Sequence, residues 1–146
     1  MALLVDFSQI FIGSYMTSAK YGDVSMNALR PSVLNTLRLY RNKFTNEYGE
    51  LILCCDDRKS WRKELFPNYK AARKKIRTTT DTDWQDLYDK LNLLKLELIE
   101  WFPYKVLQVD KAEADDVIAV LVGLTNERTL ILSSDKDFIQ LHQFNV

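Results

Sequence analysis

The chain has 146 residues, 47% of them apolar and 27% charged, and its 20 basic and 20 acidic residues cancel to a net charge of zero. These proportions suit one soluble globular domain with room for a proper core. No apolar run approaches the ~20 residues of a membrane-spanning helix and the first residues do not resemble a signal peptide, so the expectation is a cytoplasmic protein with no membrane contact.

Residues 2–5 read as a short, wholly apolar central strand ending at Asp6. The chain then turns away through Phe7-Ser8-Gln9-Ile10, with Ser8 placed to hydrogen-bond locally or to help hold Asp6. After a loop containing Gly22, Asp23 and Ser25, the positions Val33, Leu34, Leu37, Tyr40 and Phe44 keep helical spacing. Pro31 fits a first helical turn, where its missing N–H is harmless, so this helix is expected from near Arg30 to just before Gly49. Glu50–Cys55 is the second strand. Its adjacent Cys54 and Cys55 point to opposite faces and form no disulfide framework, and His142 as the only histidine leaves no zinc-like set.

Between about Asp57 and Thr80 the composition shifts. Residues 58–77 hold nine Lys and Arg against one acid, Glu64, a local charge of +8, so the rest of the chain sums to −8. With no amphipathic period and little to bury, this block is expected to be mobile until an anion orders it. Trp61, Phe66 and Tyr69 interleave with Arg62, Lys63, Lys70 and Arg73, which suits phosphate neutralisation with stacking on unpaired bases; a solvated charged loop is the plainer alternative. Asp81 or Thr82 caps the next helix, about Asp83–Trp101, with Leu87, Leu91, Leu94, Leu98 and Trp101 on one face and Pro103 at its end. Lys105–Val109 is the third strand, Ala112–Leu124 a helix, Thr129–Ser133 the fourth strand and Phe138–Val146 a short closing segment. Strands alternating with helices predict an α/β fold, a mostly parallel central sheet covered on both faces.

Acids recur at one place in this pattern. Asp6, Asp56, and Asp135 with Asp137 each follow an apolar strand, and Glu113, Asp115 and Asp116 open the helix after another. Ligands of open α/β sheets bind beyond the carboxyl ends of the strands, so Asp6, Asp56, Glu113, Asp115, Asp135 and Asp137 are six candidate ligands for hard cations such as Mg²⁺. Two such ions about 4 Å apart can activate a water and neutralise a phosphate. Glu113 and Asp116 share a helical face from which Asp115 diverges, which assigns Asp116 to supporting a ligand or capping the helix. Asp110 is the weaker candidate. Acids in a first helical turn also offset the macrodipole, but that accounts for none of the acids after the other strands. A haloacid-dehalogenase-like phosphatase would need an acid where Ser8 stands.

Leu4-Val5-Asp6-Phe7-Ser8-Gln9-Ile10, Leu53-Cys54-Cys55-Asp56, Trp61-Arg62, Tyr69-Lys70 with Arg73, Glu113-Ala114-Asp115-Asp116 and Ser133-Ser134-Asp135-Lys136-Asp137-Phe138 occur in this order. On these pieces the sequence resembles the flap endonuclease and 5′→3′ exonuclease family, with the phage ribonucleases H as its nearest branch. The resemblance implies a PIN-like, resolvase-like three-layer nuclease domain over residues 1–146 with two Mg²⁺ ions, or Mn²⁺ in their place. Asp6, Asp56, Asp115 and Asp135 match the acids of a first metal, which Glu113 reaches directly or through water, and Asp137 matches an acid of a second; Asp116 and Ser8 support them. Tyr69, Lys70 and Arg73 match a mobile arch, residues 58–80, that steers the 5′ strand and stabilises the scissile phosphate, with Arg62, Lys74 and Lys75 also binding nucleic acid.

The implied activity is hydrolysis of phosphodiester bonds in RNA–DNA hybrids and DNA flaps, removing RNA primers during phage DNA replication in the host cytoplasm. The implied partners are DNA, RNA–DNA hybrids and a single-strand-binding protein. Family members continue past the Ser-Asp-Lys-Asp motif into a further acid and a helix–hairpin–helix-like element, which lie beyond Val146. The chain is therefore expected to be an N-terminal half completed by a C-terminal half, in trans if separate, or else a nucleic-acid-binding module that does not cleave alone.

Overall fold

Strand β1 (Ala2–Asp6) is flanked on both sides, by β2 (Leu51–Cys55) and β4 (Thr129–Leu132), and this is why its apolar run is almost entirely buried. The computed structural model describes residues 1–78, 80–125 and 127–146, and of Lys74, Lys75, Ile76 and Thr78 the backbone alone. β3 (Lys105–Gln108) joins the outer edge of β2, giving the order β3-β2-β1-β4. Every pairing is parallel, with Leu3 opposite both Leu51 and Leu130, and Leu53 opposite Val106.

Successive strand residues face opposite sides, and the two sides feed separate cores. Leu3, Val5, Leu51, Leu53 and Cys55 pack against α1 (Phe7–Lys20), α2 (Met26–Tyr48) and α5 (Trp84–Trp101). Leu4 and Cys54 face α6 (Ala114–Leu124) and Leu141 of a closing 3₁₀ segment, Lys136–Gln143. The two cysteines thus point apart as expected, and burial pushes both thiols up to about 12, which leaves them inert. Among the described residues no helix is long and apolar enough to cross a membrane.

Several boundaries differ from the sequence expectation. The chain does not merely turn after Asp6 but continues as helix α1, which buries Phe7, Phe11 and Tyr15 at helical spacing. Ile10, Ile12 and Met16 on its flanks obscure that period in the sequence. Helix α2 starts at Met26, so Pro31 stands in its second turn and not its first. Asp83, rather than Asp81 or Thr82, caps α5, accepting the Asp86 N–H at 3.0 Å. Helix α6 begins at Ala114 instead of Ala112, because Lys111 holds a left-handed φ of 60° and Glu113 is extended. The basic block, expected to be mobile until an anion orders it, forms α3 (Trp61–Leu65) and α4 (Ala71–Thr78). Helix α3 buries none of its residues, in keeping with the little this stretch has to bury.

From β1 the chain steps outward to β2 and β3, then crosses back over both to β4. Right-handed crossovers change face when the direction of winding reverses, and α6 accordingly covers the opposite face from α1, α2 and α5. The reversal falls between β1 and β4, whose carboxyl ends carry Asp6 and the Ser133–Asp135 turn.

Candidate metal centre and nucleic-acid interface

Asp6 is the last residue of β1 and the N-cap of α1, and only 8% of it is exposed. Its carboxylate accepts the Gln9 N–H at 3.3 Å and the Ser133 hydroxyl at 3.4 Å. Burial, reinforced by the charges of Asp56 and Asp115, pushes its carboxyl up to about 6 in spite of those bonds. Asp56 follows the neighbouring strand; it takes the Ser8 hydroxyl at 2.6 Å and the Ala114 N–H, at the start of α6, at 2.8 Å. Ser8 therefore holds Asp56 rather than Asp6, because the first turn of α1 leans across the end of β2. Asp115 is half-buried, and burial followed by the charges of Asp116 and Glu113 raises its carboxyl as well.

The basic block closes one side of this rim. Lys70 Nζ lies 2.6 Å from Glu113 Oε2, the Tyr69 hydroxyl donates to the same oxygen at 3.2 Å, and an Arg62 nitrogen stands 3.8 Å away. Burial would raise the Glu113 carboxyl, but Lys70 and these donors together hold it below its ordinary value. Asp116 is gripped by both terminal nitrogens of Arg62 at 2.7 Å, by the Trp61 indole N–H at 3.0 Å, and by the Glu113 N–H at 3.0 Å. The Arg62 guanidinium also lies over the rings of Trp61 and Tyr69, 4.7 and 5.7 Å from their centroids. Asp116 thus supports and caps, the role its helical direction assigns to it. Lys70 takes a left-handed φ of 57° to reach Glu113, a strain of about 1–2 kcal/mol for a residue with a Cβ.

The other expected residues stand further out. Asp135 is exposed and caps the 3₁₀ segment, accepting the Asp137 N–H at 3.0 Å; its own N–H donates to Ser133, which links it to Asp6. Asp137 is exposed, and among the described residues no hydrogen bond or ion pair joins its carboxylate to the other acids. Asp110 is exposed in the turn before Lys111. Arg73 is exposed on α4, and the side chains of Lys74 and Lys75 lie outside the described residues. Ser133 and Asp57 hold the acids or their turns without having been singled out as site residues, the Ser-Ser pair ahead of Asp135 being the sign of the first. Trp61, read from the sequence as a base-stacking aromatic, here donates to Asp116.

An all-oxygen donor set of carboxylates suits a hard divalent cation, and the burial and like charge that raise Asp6 and Asp115 are what such a cation offsets. As they stand, among the described residues, no three His, Cys, Asp or Glu side chains are grouped closely enough to hold one ion.

The whole chain, residues 1–146, matches the model of the 5′-3′ exonuclease, N-terminal resolvase-like domain. The chain belongs to that family. Of curated proteins, it is similar to the ribonuclease H of Enterobacteria phage T4, 36% identical over 97% of this chain and 48% of that protein. It is also similar to the 5′-3′ exonuclease of Buchnera aphidicola subsp. Schizaphis graminum, 28% identical over 99% of this chain and 49% of that protein. The chain therefore spans about half the length of the curated relatives it matches. Among solved structures, the 5′-exonuclease of T5 with bound zinc ions superposes with a TM-score of 0.70 at 19% identity, over 96% of this chain and 51% of that one. This likeness bears on the fold, and it agrees with a parallel sheet carrying the 5′-3′ exonuclease N-terminal domain.

Proposed function

We propose that this chain is the catalytic half of a divalent-metal-dependent 5′→3′ exonuclease and flap endonuclease that hydrolyses phosphodiester bonds in RNA–DNA hybrids and DNA flaps. The observation that carries the reading is the gathering at the carboxyl end of the sheet of Asp6, Asp56, Glu113 and Asp115, with Asp6 and Asp115 raised by burial and neighbouring charge, beside Lys70, Tyr69 and Arg62. Asp6, Asp56, Asp115 and Asp135 are the ligands of a first Mg²⁺, with Glu113 beside them and Asp137 serving a second; Mn²⁺ can replace either. Bound there, such ions would activate a water and neutralise the scissile phosphate.

The side chains do the rest. Asp6, buried at the end of β1, would present its carboxylate to such a cation. Ser8 and the Ala114 N–H keep Asp56 aimed at the rim, while Arg62 and Trp61 keep Asp116 bound to the Glu113 N–H. Lys70, poised on Glu113, and Arg73, exposed one turn further, supply positive charge to a phosphate, and Lys74 and Lys75 add to the charge of the same basic block. The T4 ribonuclease H and the zinc-bound T5 exonuclease support the substrate class and the metal by likeness. Removal of RNA primers in phage DNA replication, in the host cytoplasm and beside a single-strand-binding protein, is the setting this chemistry fits.

A second reading is favoured by the side chains as they stand, since among the described residues no three acids lie close enough to hold one ion: the chain binds nucleic acid and cleaves only when a C-terminal half is added in cis or in trans. One assay separates the two. The chain is incubated with a 5′-labelled RNA–DNA hybrid and Mg²⁺, and short 5′-phosphorylated products are expected that vanish with a chelator or in Asp115→Asn. Binding without products supports the second reading, whereas cleavage that survives Asp115→Asn removes the site assignment.

A further inference from the structure

Three residues outside the proposed chemistry form a polar line from the core to the turn that presents the acids. Lys95 lies on the inner face of α5 with 8% of its surface exposed. Its Nζ donates to Gln108 Oε1 at 2.6 Å and to Asn92 Oδ1 at 3.2 Å, both neutral amide oxygens. Among the described residues it makes no salt bridge. A buried ammonium so placed is costly unless its charge is answered, and it dictates how Gln108 is turned. Flipping that amide would set its NH₂ against the ammonium, so the NH₂ faces outward, where Gln108 Nε2 donates to Asp57 Oδ1 at 2.8 Å.

Asp57 ties two loops together. Its other oxygen accepts the Lys111 N–H at 3.0 Å and the Lys59 N–H at 3.3 Å, and its own N–H donates to Ala112 O at 2.9 Å. Lys111 O accepts the Trp61 N–H at 2.9 Å, so the left-handed Lys111 is held at both its N–H and its carbonyl. Asp56 immediately precedes Asp57, and Glu113 and Asp115 come just after Ala112. The same few bonds therefore fix how far the acid of β2 stands from the acids of α6.

We propose that Lys95, Gln108 and Asp57 form a positioning line that sets the spacing between Asp56 and the acids at the start of α6, and so tunes divalent-cation affinity. The inference rests on the metal-site reading above. None of the three touches the cation; each acts through the turn at Lys111–Ala112.

The test reverses the polarity of one bond. Mn²⁺ binding to the chain is measured by titration calorimetry for wild type, Asp57→Asn, Gln108→Glu and the double variant, with circular dichroism to follow folding. Asp57→Asn sets an amide NH₂ against either Gln108 or the Lys111 N–H, and Gln108→Glu sets a carboxylate against Asp57. Each single change is expected to weaken Mn²⁺ binding about tenfold, the usual effect of losing a partner behind the ligands. In the double variant the carboxylate at 108 still accepts from Lys95 and now accepts from the amide at 57, whose carbonyl keeps the Lys111 N–H. Its affinity is expected to return to within about twofold of wild type, a coupling that a general loss of stability would not give. Wild type that binds Mn²⁺ while both single variants bind it equally well overturns the inference alone, as does a double variant weaker than either single one. Wild type with no saturable Mn²⁺ binding overturns the metal-site reading and this inference with it.

Discussion

Asp6 concentrates the electrostatic tension of the rim. Its carboxyl, about 6 in the folded chain against 3.8 as an ordinary aspartate, binds more protons folded than unfolded between those values. That stabilises the fold at acid pH, and the gain is lost as pH rises from about 4 through about 6. Asp6→Asn is therefore expected to leave the melting temperature nearly unchanged at pH 4 and to raise stability by about 2–3 kcal/mol above pH 6, read by thermal melts across that range. On the proposed metal site, Mg²⁺ is expected to raise the melting temperature of the wild type at pH 8, and the same substitution to abolish that rise. At Arg62 the expected sign is opposite. Arg62→Ala strips Asp116 of a two-pronged partner and should cost about 2 kcal/mol in denaturant unfolding. Arg62→Lys should recover less than half of that, because an ammonium cannot supply the fork.

Among the elements, helix α2 carries an avoidable defect. Pro31 is its sixth residue, so the bond its N–H would make to the carbonyl of Asn27 is missing. Pro31→Ala is expected to stabilise the chain by about 1–3 kcal/mol in urea unfolding; an unchanged midpoint would show that Pro31 is matched to the bend of α2. Helix α5 is two-sided. Leu87, Leu94 and Leu98 are fully buried while Leu93, Leu96 and Ile99 on the far side are exposed. Leu94→Ala should cost about 2–5 kcal/mol as a cavity in the core, whereas Leu96→Ala should change stability by less than about 0.5 kcal/mol. The contrast is measured by comparing the two unfolding midpoints.

Taken whole, the molecule separates its charge, with the +8 block folded over an acidic rim. On the proposed function, binding of a single-stranded oligonucleotide is expected to fall steeply with salt. Lys70→Ala is expected to reduce the slope of log affinity against log salt by about 1 in fluorescence anisotropy, if Lys70 leaves Glu113 for a phosphate. An unchanged slope would mean that Lys70 stays on Glu113 when the strand is bound. The sheet leaves β3 and β4 as its edges, and Val120, Leu124, Ile139 and Phe144 are exposed on the α6 side.

The linear pattern of residues was enough for the parallel α/β sheet and for most strands, since a four- or five-residue apolar run ending in Asp has few other places to go. It also pointed to Asp6, Asp56, Glu113 and Asp115, which lie at the carboxyl end of the sheet, because the carboxyl ends of parallel strands point one way whatever the details of packing, while Asp135 and Asp137 stand further out. The start of α1 was hidden by Ile10, Ile12 and Met16 on the flanks of its buried face, and the start of α6 by the left-handed Lys111, a conformation no side chain announces. Which acid pairs with which base was decided only in three dimensions. Ser8 on Asp56, Lys70 on Glu113, Arg62 on Asp116 and Lys95 reaching Asp57 through Gln108 join residues 13 to 54 positions apart. Hydrogen bonds of that kind depend on the relative placement of elements to within an ångström, and neither composition nor periodicity constrains distance so finely.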